Sequence, residues 1–331
     1  MKNFPDSVVR WGILGAGDVC EMKSAPAMDK IERSSLVAVM RRSEDKAKDY
    51  AERHQVPKWF DDSDKLLNDP DVNAIYIATP PDAHEHLTRK AFAAGKPVYV
   101  EKPMARTFLE CRSMLEASLR ADLPLYVAYY RRALPNFLKI KELVDSSVIG
   151  EVRLVDIQLH KPANPDIVAT TNDNWRVKPE ISGGGLFYDL ASHQLDFLDF
   201  LLGPIETATG FAGNQAGLYE ANDIVTGSFR FKSGVMGSGS WCFTAGDISN
   251  IDHTTIMGSK GQITYPTFDG SHVILETGQN GRKRFDFELP GHIQQPLIQS
   301  VVNDLLGTGK CPSTGISGAR TNLVMEQICY Q

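Results

Sequence analysis

Residues 8–20 of the chain are VVRWGILGAGDVC. The apolar run at 8–14 is typical of a buried strand, and Gly15 and Gly17 follow it directly. Gly15 permits a tight turn, and Gly17 lets the backbone come close to a pyrophosphate. A Gly-x-Gly pair alone is weak evidence, but its position at a first strand–helix junction near the start of the chain favours a dinucleotide-binding loop.

The residues after this pair predict the start of a helix. Asp18 and Val19 would open it and offer backbone amides to an anion at its positive end. Cys20 occupies the third glycine position of the fingerprint, where a small side chain still allows the helix to pack closely on the strand. We therefore expect Gly15, Gly17, Asp18 and Val19 to contact the cofactor.

The first third of the chain alternates apolar runs with amphipathic segments. The strands are predicted at 8–14, 36–40, 74–78, 97–100 and 125–128. Helices are predicted between them at 44–54, 83–94 and 108–121. This alternation indicates βαβ units and a parallel sheet, whose carboxyl ends form one ligand-binding edge.

Beyond residue 123 the pattern changes. After a helix at 134–144, polar and apolar residues alternate at 153–160 and 224–231, and turns at 232–234, 258–261 and 278–281 predict hairpins. One helix, 185–202, interrupts these strands, and two helices close the chain. We predict an α/β fold: an N-terminal Rossmann domain at 1–123, and a C-terminal α+β domain at 124–331 with a large, mostly antiparallel, open-faced sheet.

Composition excludes several classes of function. The 331 residues carry a formal charge of −6, which argues against a nucleic-acid partner. No apolar run approaches the ~18 residues that span a membrane, and residues 1–10 do not resemble a secretory signal. The five cysteines form no Cys-x-x-Cys pair, as expected of reduced thiols in a cytoplasmic protein. His84-Glu85-His86 does not have zinc-ligand spacing, and we expect no metal.

The end of the second predicted strand favours NADP(H). NAD-binding folds place Asp or Glu about 20 residues beyond the glycines, where it binds the ribose 2′-hydroxyl. Here Arg41, Arg42 and Ser43 occupy that place. Two guanidiniums and a hydroxyl suit a 2′-phosphate, so NADP(H) is the preferred cofactor and NAD(H) the second choice.

Three further stretches carry a family resemblance: ATPPDAH at 78–84, GKPVYVEKP at 95–103 and GGGLFYDLASH at 183–193. With the glycine loop, and in this order, they resemble the glucose–fructose oxidoreductase / inositol dehydrogenase / MocA family. The resemblance implies an oxidoreductase with a sugar-like substrate, and a homodimer or homotetramer. In that family the peptide bond at this position is often cis, so the resemblance implies a cis bond before Pro103.

The candidate catalytic residues are Lys102, Asp189 and His193. Lys102 lies just beyond a strand end, where its ammonium can stabilise negative charge on a reacting oxygen. His193 has the intrinsic pKa to pass a proton, and Asp189, four residues earlier on the same helical face, can orient it or bind substrate hydroxyls. The glycines at 183–185 are expected to let a ligand come close, and Glu101 to orient or contact the cofactor.

Further candidates follow from the same motifs. Thr79, Pro80 and Trp11 are expected to line the cofactor cleft, and His84 to face the nicotinamide. Tyr130 and Arg131 follow the fifth predicted strand, where they either contact the substrate or have a structural role. The family resemblance implies that Trp175 and Arg176, in the loop before the glycines, lie near the cofactor or the substrate. The polar segment 164–174 suits a site-covering loop.

The function indicated is hydride transfer to or from a secondary carbon of a sugar, cyclitol or related diol. Two alternatives remain open: a redox-assisted glycosidase or lyase with a tightly held cofactor, and a non-catalytic regulator that senses nucleotides. Retention of Lys102, Asp189 and His193 favours the enzyme over the regulator.

Overall fold

The structure is a computed structural model that describes residues 4, 6–163, 174–278 and 281–330. The chain divides into two compact units, Met1–Tyr130 with Pro290–Ala319, and Arg131–Leu289 with Arg320–Gln331. The first division lies at Tyr130 rather than at residue 123, because the strand Leu125–Val127 is part of the first sheet. Nothing in the sequence pattern indicated that the segment Pro290–Ala319 returns to the first unit.

The first unit contains a six-stranded sheet in which every neighbouring pair is parallel. Its strands, in chain order, are β1 Val9–Leu14, β2 Ser34–Met40, β3 Lys58–Phe60, β4 Ala74–Ile77, β5 Val98–Val100 and β6 Leu125–Val127. The spatial order is β3-β2-β1-β4-β5-β6. Five of these strands were predicted. β3 was not, because it has three half-buried residues and begins with a lysine.

The helices of this unit connect successive strands. They are α1 Asp18–Met22, α2 Ala25–Met28, α3 Glu44–His54, α4 Ser63–Leu67, α5 His84–Ala93 and α6 Phe108–Ala121. Strands β4, β5 and β6 are buried along their whole length, as expected when helices cover both faces of a parallel sheet. The strand order reverses between β1 and β4. In open sheets of this kind, the carboxyl ends of the strands at such a reversal are the usual ligand-binding edge.

The second unit contains an eight-stranded sheet in the order β14-β13-β12-β11-β7-β10-β9-β8. Its strands are β7 Val152–Pro162, β8 Ile205–Gly213, β9 Ile224–Phe231, β10 Met236–Ala245, β11 Ile251–Gly258, β12 Gly261–Tyr265, β13 His272–Thr277 and β14 Gly281–Asp286. All pairs are antiparallel except β7 with β10. The predicted fold class, a parallel sheet followed by a mostly antiparallel one, is confirmed.

One face of this second sheet is exposed. Along β9, Val225, Phe229 and Phe231 are buried, whereas Thr226 and Ser228 on the opposite face are exposed. The helices of the unit are α7 Pro135–Asp145, α8 Pro179–Ser182 and α9 Ser192–Leu202. The chain ends with α10 Gln295–Leu305 and α11 Gly315–Cys329, the two closing helices expected from the sequence.

Two predicted features fall partly outside the described residues. They are the site-covering loop, of which 164–173 are not described, and the turn at 278–281, of which 279 and 280 are not described. Within the part of the chain that the structure describes, no helix is both long and apolar enough to cross a membrane.

Candidate active site

Gly15 makes the turn that follows β1. Its φ of +86° lies in the left-handed region, and an added Cβ would lie 2.5 Å from Thr79 Cγ2 and 3.0 Å from the Thr79 amide nitrogen. The Gly15 N–H donates to Met40 O at 3.0 Å. A side chain at Gly15 would therefore be strained. The turn is hydrogen-bonded to the end of β2 and packs against the segment after β4.

Gly17 is a glycine for a different reason. Its φ is −105°, which other residues adopt, and an added Cβ would meet only Gly15 O, at 3.8 Å. The packing of the protein does not require a glycine here, so the position leaves open space beside the loop. That space fits the close approach of a dinucleotide pyrophosphate. Asp18 is exposed and Val19 half-buried at the start of α1, which is only five residues long.

Arg41, Arg42 and Ser43, here called the basic corner, follow β2 beside this loop. Met40 O accepts hydrogen bonds from the glycine loop, and Arg41, the next residue, donates its own N–H to Phe60 O at 3.2 Å. Within the described residues, neither the Arg41 nor the Arg42 guanidinium makes an ion pair or a hydrogen bond. The Ser43 hydroxyl does not cap α3. These three side chains are therefore available to an anionic ligand at the end of β2.

Thr79 and Pro80, after β4, are half-buried on the same edge of the sheet. The buried Thr79 hydroxyl has no hydrogen-bond partner among the described residues. Trp11 differs from the expectation, because it is 1% exposed and its indole N–H donates to Ser34 Oγ at 3.0 Å. Its ring therefore belongs to the core of the first unit and does not line a cleft.

Glu101 lies at the end of β5, and its carboxylate is enclosed by hydrogen-bond donors. Tyr76 Oη donates to Glu101 Oε1 at 2.5 Å, Gln294 Nε2 donates to the same oxygen at 2.7 Å, and Lys102 N donates to Oε2 at 3.2 Å. Glu101 is 7% exposed, whereas Lys102 is half-buried. The Lys102–Pro103 peptide bond is cis, as the family resemblance implied. The Glu101 carboxylate thus joins β4, the segment before α10 and the backbone of Lys102.

His84 does not face a ligand as expected. Its ring is fully buried, with Nε2 at 2.8 Å from Thr79 O and Nδ1 at 3.1 and 3.2 Å from the carbonyl oxygens of Pro103 and Met104. Burial lowers the pKa of His84 below its ordinary value. The His84 ring therefore lies between the loop after β5 and the loop after β4 and makes polar contacts with the backbone of both.

The sequence analysis missed three members of this site: Tyr76, Tyr99 and Gln294. The two tyrosines pair across β4 and β5, and the strand pattern by itself indicates no role for them beyond burial. A hydroxyl at matching positions in two buried strands was an available signal, because buried hydroxyls need partners. Gln294 gave no signal, because its contact with Glu101 joins residues 193 positions apart.

In the second unit, close packing of neighbouring side chains accounts for glycine at positions 184 and 185. An added Cβ on Gly184 would lie 2.1 Å from the Tyr188 ring, and one on Gly185, whose φ is +68°, would lie 2.4 Å from Ala221 Cβ. These glycines admit neighbouring protein atoms, not a ligand as expected.

The predicted helix 185–202 is confirmed, and it contains a π-helical turn, Phe187–Ala191, before α9. Asp189 lies within that wide turn and His193 just after it. Such turns widen the helix locally and are frequent at functional sites. Asp189 faces Arg176, whose Nε is 3.5 Å from Asp189 Oδ2, and the Arg176 guanidinium lies 4.6 Å from the centre of the half-buried Trp175 ring.

His193 is 3% exposed, and its ring meets the Phe268 ring edge-on, with centroids 6.0 Å apart. The Arg131 guanidinium lies 4.5 Å from the centre of the Phe268 ring, and Arg131 Nε donates to Thr267 O at 3.2 Å. Arg131 is only 6% exposed, so it differs from an open substrate-binding arginine. Tyr130, in contrast, is half-buried.

Phe268 is held in place by Asp252, which the sequence analysis also missed. The Asp252 carboxylate accepts the backbone N–H groups of Thr267, Phe268 and Asp269. A lone aspartate in a strand gives no sequence signal of this kind. The arrangement fixes the backbone of the turn that brings Phe268 against His193.

Two family models match the chain. One, described as "Oxidoreductase family, NAD-binding Rossmann fold", covers residues 9–129, and the other, described as "GFO/IDH/MocA C-terminal domain", covers residues 137–264. With the glycine loop and the parallel sheet, these matches define an NAD(P)-dependent oxidoreductase.

The chain is 39% identical over 328 residues to Oxidoreductase P35 of Formosa agariphila, covering 98% of this chain and 99% of that protein. The chain belongs to the glucose–fructose oxidoreductase / inositol dehydrogenase / MocA family, whose members act on CH–OH groups. It is 29% identical to myo-inositol 2-dehydrogenase of Thermotoga maritima, over 85% of this chain and 83% of that protein. A solved structure of levoglucosan dehydrogenase with NADH and levoglucosan has a TM-score of 0.87 at 20% identity, covering 97% of this chain and 96% of that chain, and shows the same fold.

Proposed function

We propose that this protein is an NADP(H)-dependent oxidoreductase that transfers a hydride to or from a secondary alcohol or carbonyl carbon of a sugar, cyclitol or related diol. The observation that carries the proposal is the family membership together with the retained Lys102, Asp189 and His193. Two of the similar proteins are named for polyols, myo-inositol and levoglucosan, which supports a polyhydroxylated ring as substrate.

The bound dinucleotide would supply the hydride acceptor or donor. The open space at Gly17 would receive its pyrophosphate, beside the amides of Asp18 and Val19. Lys102 would donate a hydrogen bond to the reacting substrate oxygen and stabilise the negative charge that develops there. Because Glu101 binds the backbone N–H of Lys102, the base of that side chain is fixed before substrate arrives.

His193 would exchange the proton of the substrate hydroxyl, taking it during oxidation and returning it during reduction. Its ring packs against Phe268, which limits the orientations it can take. Asp189 and Arg176 form a partly exposed ion pair, and such a pair, together with Trp175 and Tyr130, would recognise substrate hydroxyls. Arg131 would act through Phe268 rather than by touching substrate.

The preference for NADP(H) rests on Arg41, Arg42 and Ser43. An acidic residue at the end of β2 would bind a ribose diol and repel a phosphate. Here two uncommitted guanidiniums can form charge-assisted hydrogen bonds to a 2′-phosphate, each worth about 1.5–3 kcal/mol. One such bond is enough for a preference of roughly tenfold or more.

The test is turnover of NADP⁺, NADPH, NAD⁺ and NADH against a panel of sugars, cyclitols, keto-sugars and cyclic diols. We expect kcat/KM at least about tenfold higher with NADP(H), and a loss of most of that ratio in Arg41→Ala or Arg42→Ala. Arg112→Ala, an exposed arginine on α6, is the matched control. No turnover with any panel member would reject the function, and turnover without net change in NADPH absorbance would favour the redox-assisted lyase.

We also propose that the protein acts in the cytoplasm as a homodimer or homotetramer. None of the five cysteines forms a disulfide, which suits a reducing compartment. Large apolar side chains lie exposed on strands of the second sheet, with Phe211 81% and Met236 60% exposed, and a second copy of the chain would cover them. Light scattering coupled to size-exclusion chromatography tests the assembly, and a monomer at micromolar concentration would refute it.

A further inference from the structure

Within the described residues, the buried carboxylate of Glu101 forms no ion pair, and its hydrogen-bond donors are the three described above. Two of them are side chains, Tyr76 and Gln294. A buried carboxylate depends strongly on every donor it has, because an unsatisfied buried charge costs more than a hydrogen bond normally gains. The position of Glu101 is therefore set by the residues that donate to it.

Gln294 is the member of this group that comes from elsewhere in the chain. It is fully buried at the start of α10, where its side-chain oxygen accepts from Tyr99 Oη at 2.9 Å and its side-chain nitrogen donates to Glu101 Oε1 at 2.7 Å. Its backbone N–H donates to Lys23 O at 3.1 Å. The backbone hydrogen bond to Lys23 does not involve the side chain of Gln294. A substitution of that side chain can therefore remove the bond to Glu101 and keep the backbone bond.

The hydrogen-bond directions in this network are fixed by the tyrosines. Burial, followed by the charge of Glu101, raises the pKa of both Tyr76 and Tyr99 far above the ordinary phenol value, so both hydroxyls remain protonated. Tyr99 therefore always donates to the oxygen of the Gln294 amide. This orients the amide so that its NH₂ group must face Glu101.

We propose that Gln294 is a positioning residue: its amide holds the Glu101 carboxylate, which in turn holds the backbone of Lys102. The segment that follows the second sheet thereby completes the site at the end of β5. The consequence for catalysis rests on the proposed role of Lys102, whereas the positioning itself does not.

The first experiment needs neither substrate nor cofactor. In Gln294→Met, which keeps the length of the side chain and removes the amide, we expect hydrogen exchange at the Lys102 N–H to quicken by roughly tenfold. Amides of β1 serve as the internal reference. Gln299→Met is the matched control, because it removes an amide from the same helix α10, where it bonds to Glu32 N and Asn303 Oδ1. Unchanged exchange at Lys102 in a folded Gln294→Met protein would overturn the proposal.

The second experiment uses Gln294→Glu. When protonated, the introduced carboxyl can donate to Glu101 as the amide does, and when ionised it repels Glu101, which raises the pKa of one of the two groups. We expect the ratio of variant to wild-type kcat to be close to one at low pH and to fall by about tenfold as pH rises, with KM for the dinucleotide within about twofold. A ratio that does not change with pH would indicate a merely structural role and overturn the proposal.

The two arms separate this inference from the proposed function. If the wild-type protein turns over no substrate in the panel, the function fails, and the exchange experiment still decides the positioning. If Gln294→Met does not fold, exchange at Lys102 in Gln294→Glu, slow at low pH and accelerated beyond the wild-type pH dependence at high pH, gives the same decision.

Discussion

Alanine substitutions at Gly15 and Gly17, made one at a time, separate the role of the loop in folding from its role in binding. At Gly15, alanine must adopt a φ of +86°, which costs about 1–2 kcal/mol in a left-handed backbone. Its Cβ would also lie 2.5 Å from Thr79 Cγ2, and relieving such overpacking costs about 1–3 kcal/mol. The sum, about 2–5 kcal/mol, corresponds to a fall in Tm of about 5 °C or more for a unit of this size.

At Gly17, the same substitution has no such cost. The nearest atom to an added Cβ is Gly15 O at 3.8 Å, and the φ of −105° suits alanine, so the free energy of unfolding should change by less than about 0.5 kcal/mol. A methyl group in this open space would, however, obstruct the pyrophosphate. We expect Kd for NADPH to rise at least about tenfold, which is 1.4 kcal/mol.

The assays are thermal unfolding without ligand and titration calorimetry with NADPH. Gly246→Ala is the control, because its φ is −70° and an added Cβ meets nothing within 4 Å. Wild-type affinity in Gly17→Ala would refute the assignment of this loop to the pyrophosphate. Wild-type stability in Gly15→Ala would refute the reasoning from the close approach of Thr79.

Three further outcomes are expected. Lys102→Ala and His193→Ala should each lower kcat by about 10²–10⁴ in steady-state assays with nearly unchanged dinucleotide binding, and wild-type turnover in both would remove them from the mechanism. Phe268→Ala should lower kcat without changing Kd for the dinucleotide, because His193 loses its packing partner, and equal kcat would show that the contact is incidental. Glu21 has a pKa lowered to about 2, first by its hydrogen bond to Arg53, so its ionised form stabilises the fold above about pH 4.5, and this contribution is lost as pH falls toward 2. Glu21→Gln should therefore lower Tm at pH 7 and by much less at pH 3, and an equal loss at both values in thermal melts would contradict the assignment.

The parallel sheet and the glycine turn after β1 could be predicted because their signals are local. A buried strand followed by Gly15 and Gly17 has few structural solutions, and the alternation of strands with amphipathic helices indicated the βαβ order. The position of Arg41, Arg42 and Ser43 after β2 could be predicted because their distance from the glycines along the chain is set by one βαβ unit. The short β3 gave no periodicity and was missed.

The roles of several predicted site residues depended on packing, which the sequence pattern does not contain. His84 was expected to face the cofactor, but its ring is buried between carbonyl groups. The glycines at 183–185 were expected to admit a ligand, but Gly184 lies against Tyr188 and Gly185 against Ala221. In both cases the residue type was informative, and the direction of the side chain was not.

The sequence by itself determined the fold class and the list of chemically competent residues: glycines for a phosphate, guanidiniums at the end of β2, and Lys102, Asp189 and His193. These follow from backbone geometry and from side-chain chemistry, both of which are written residue by residue. Only the tertiary structure decided what holds those residues. Gln294 contacts Glu101, and Asp252 fixes the turn that carries Phe268. Such partners are chosen by where distant segments meet in space, and a hydrogen bond between residues far apart in the chain leaves no periodic trace in the sequence.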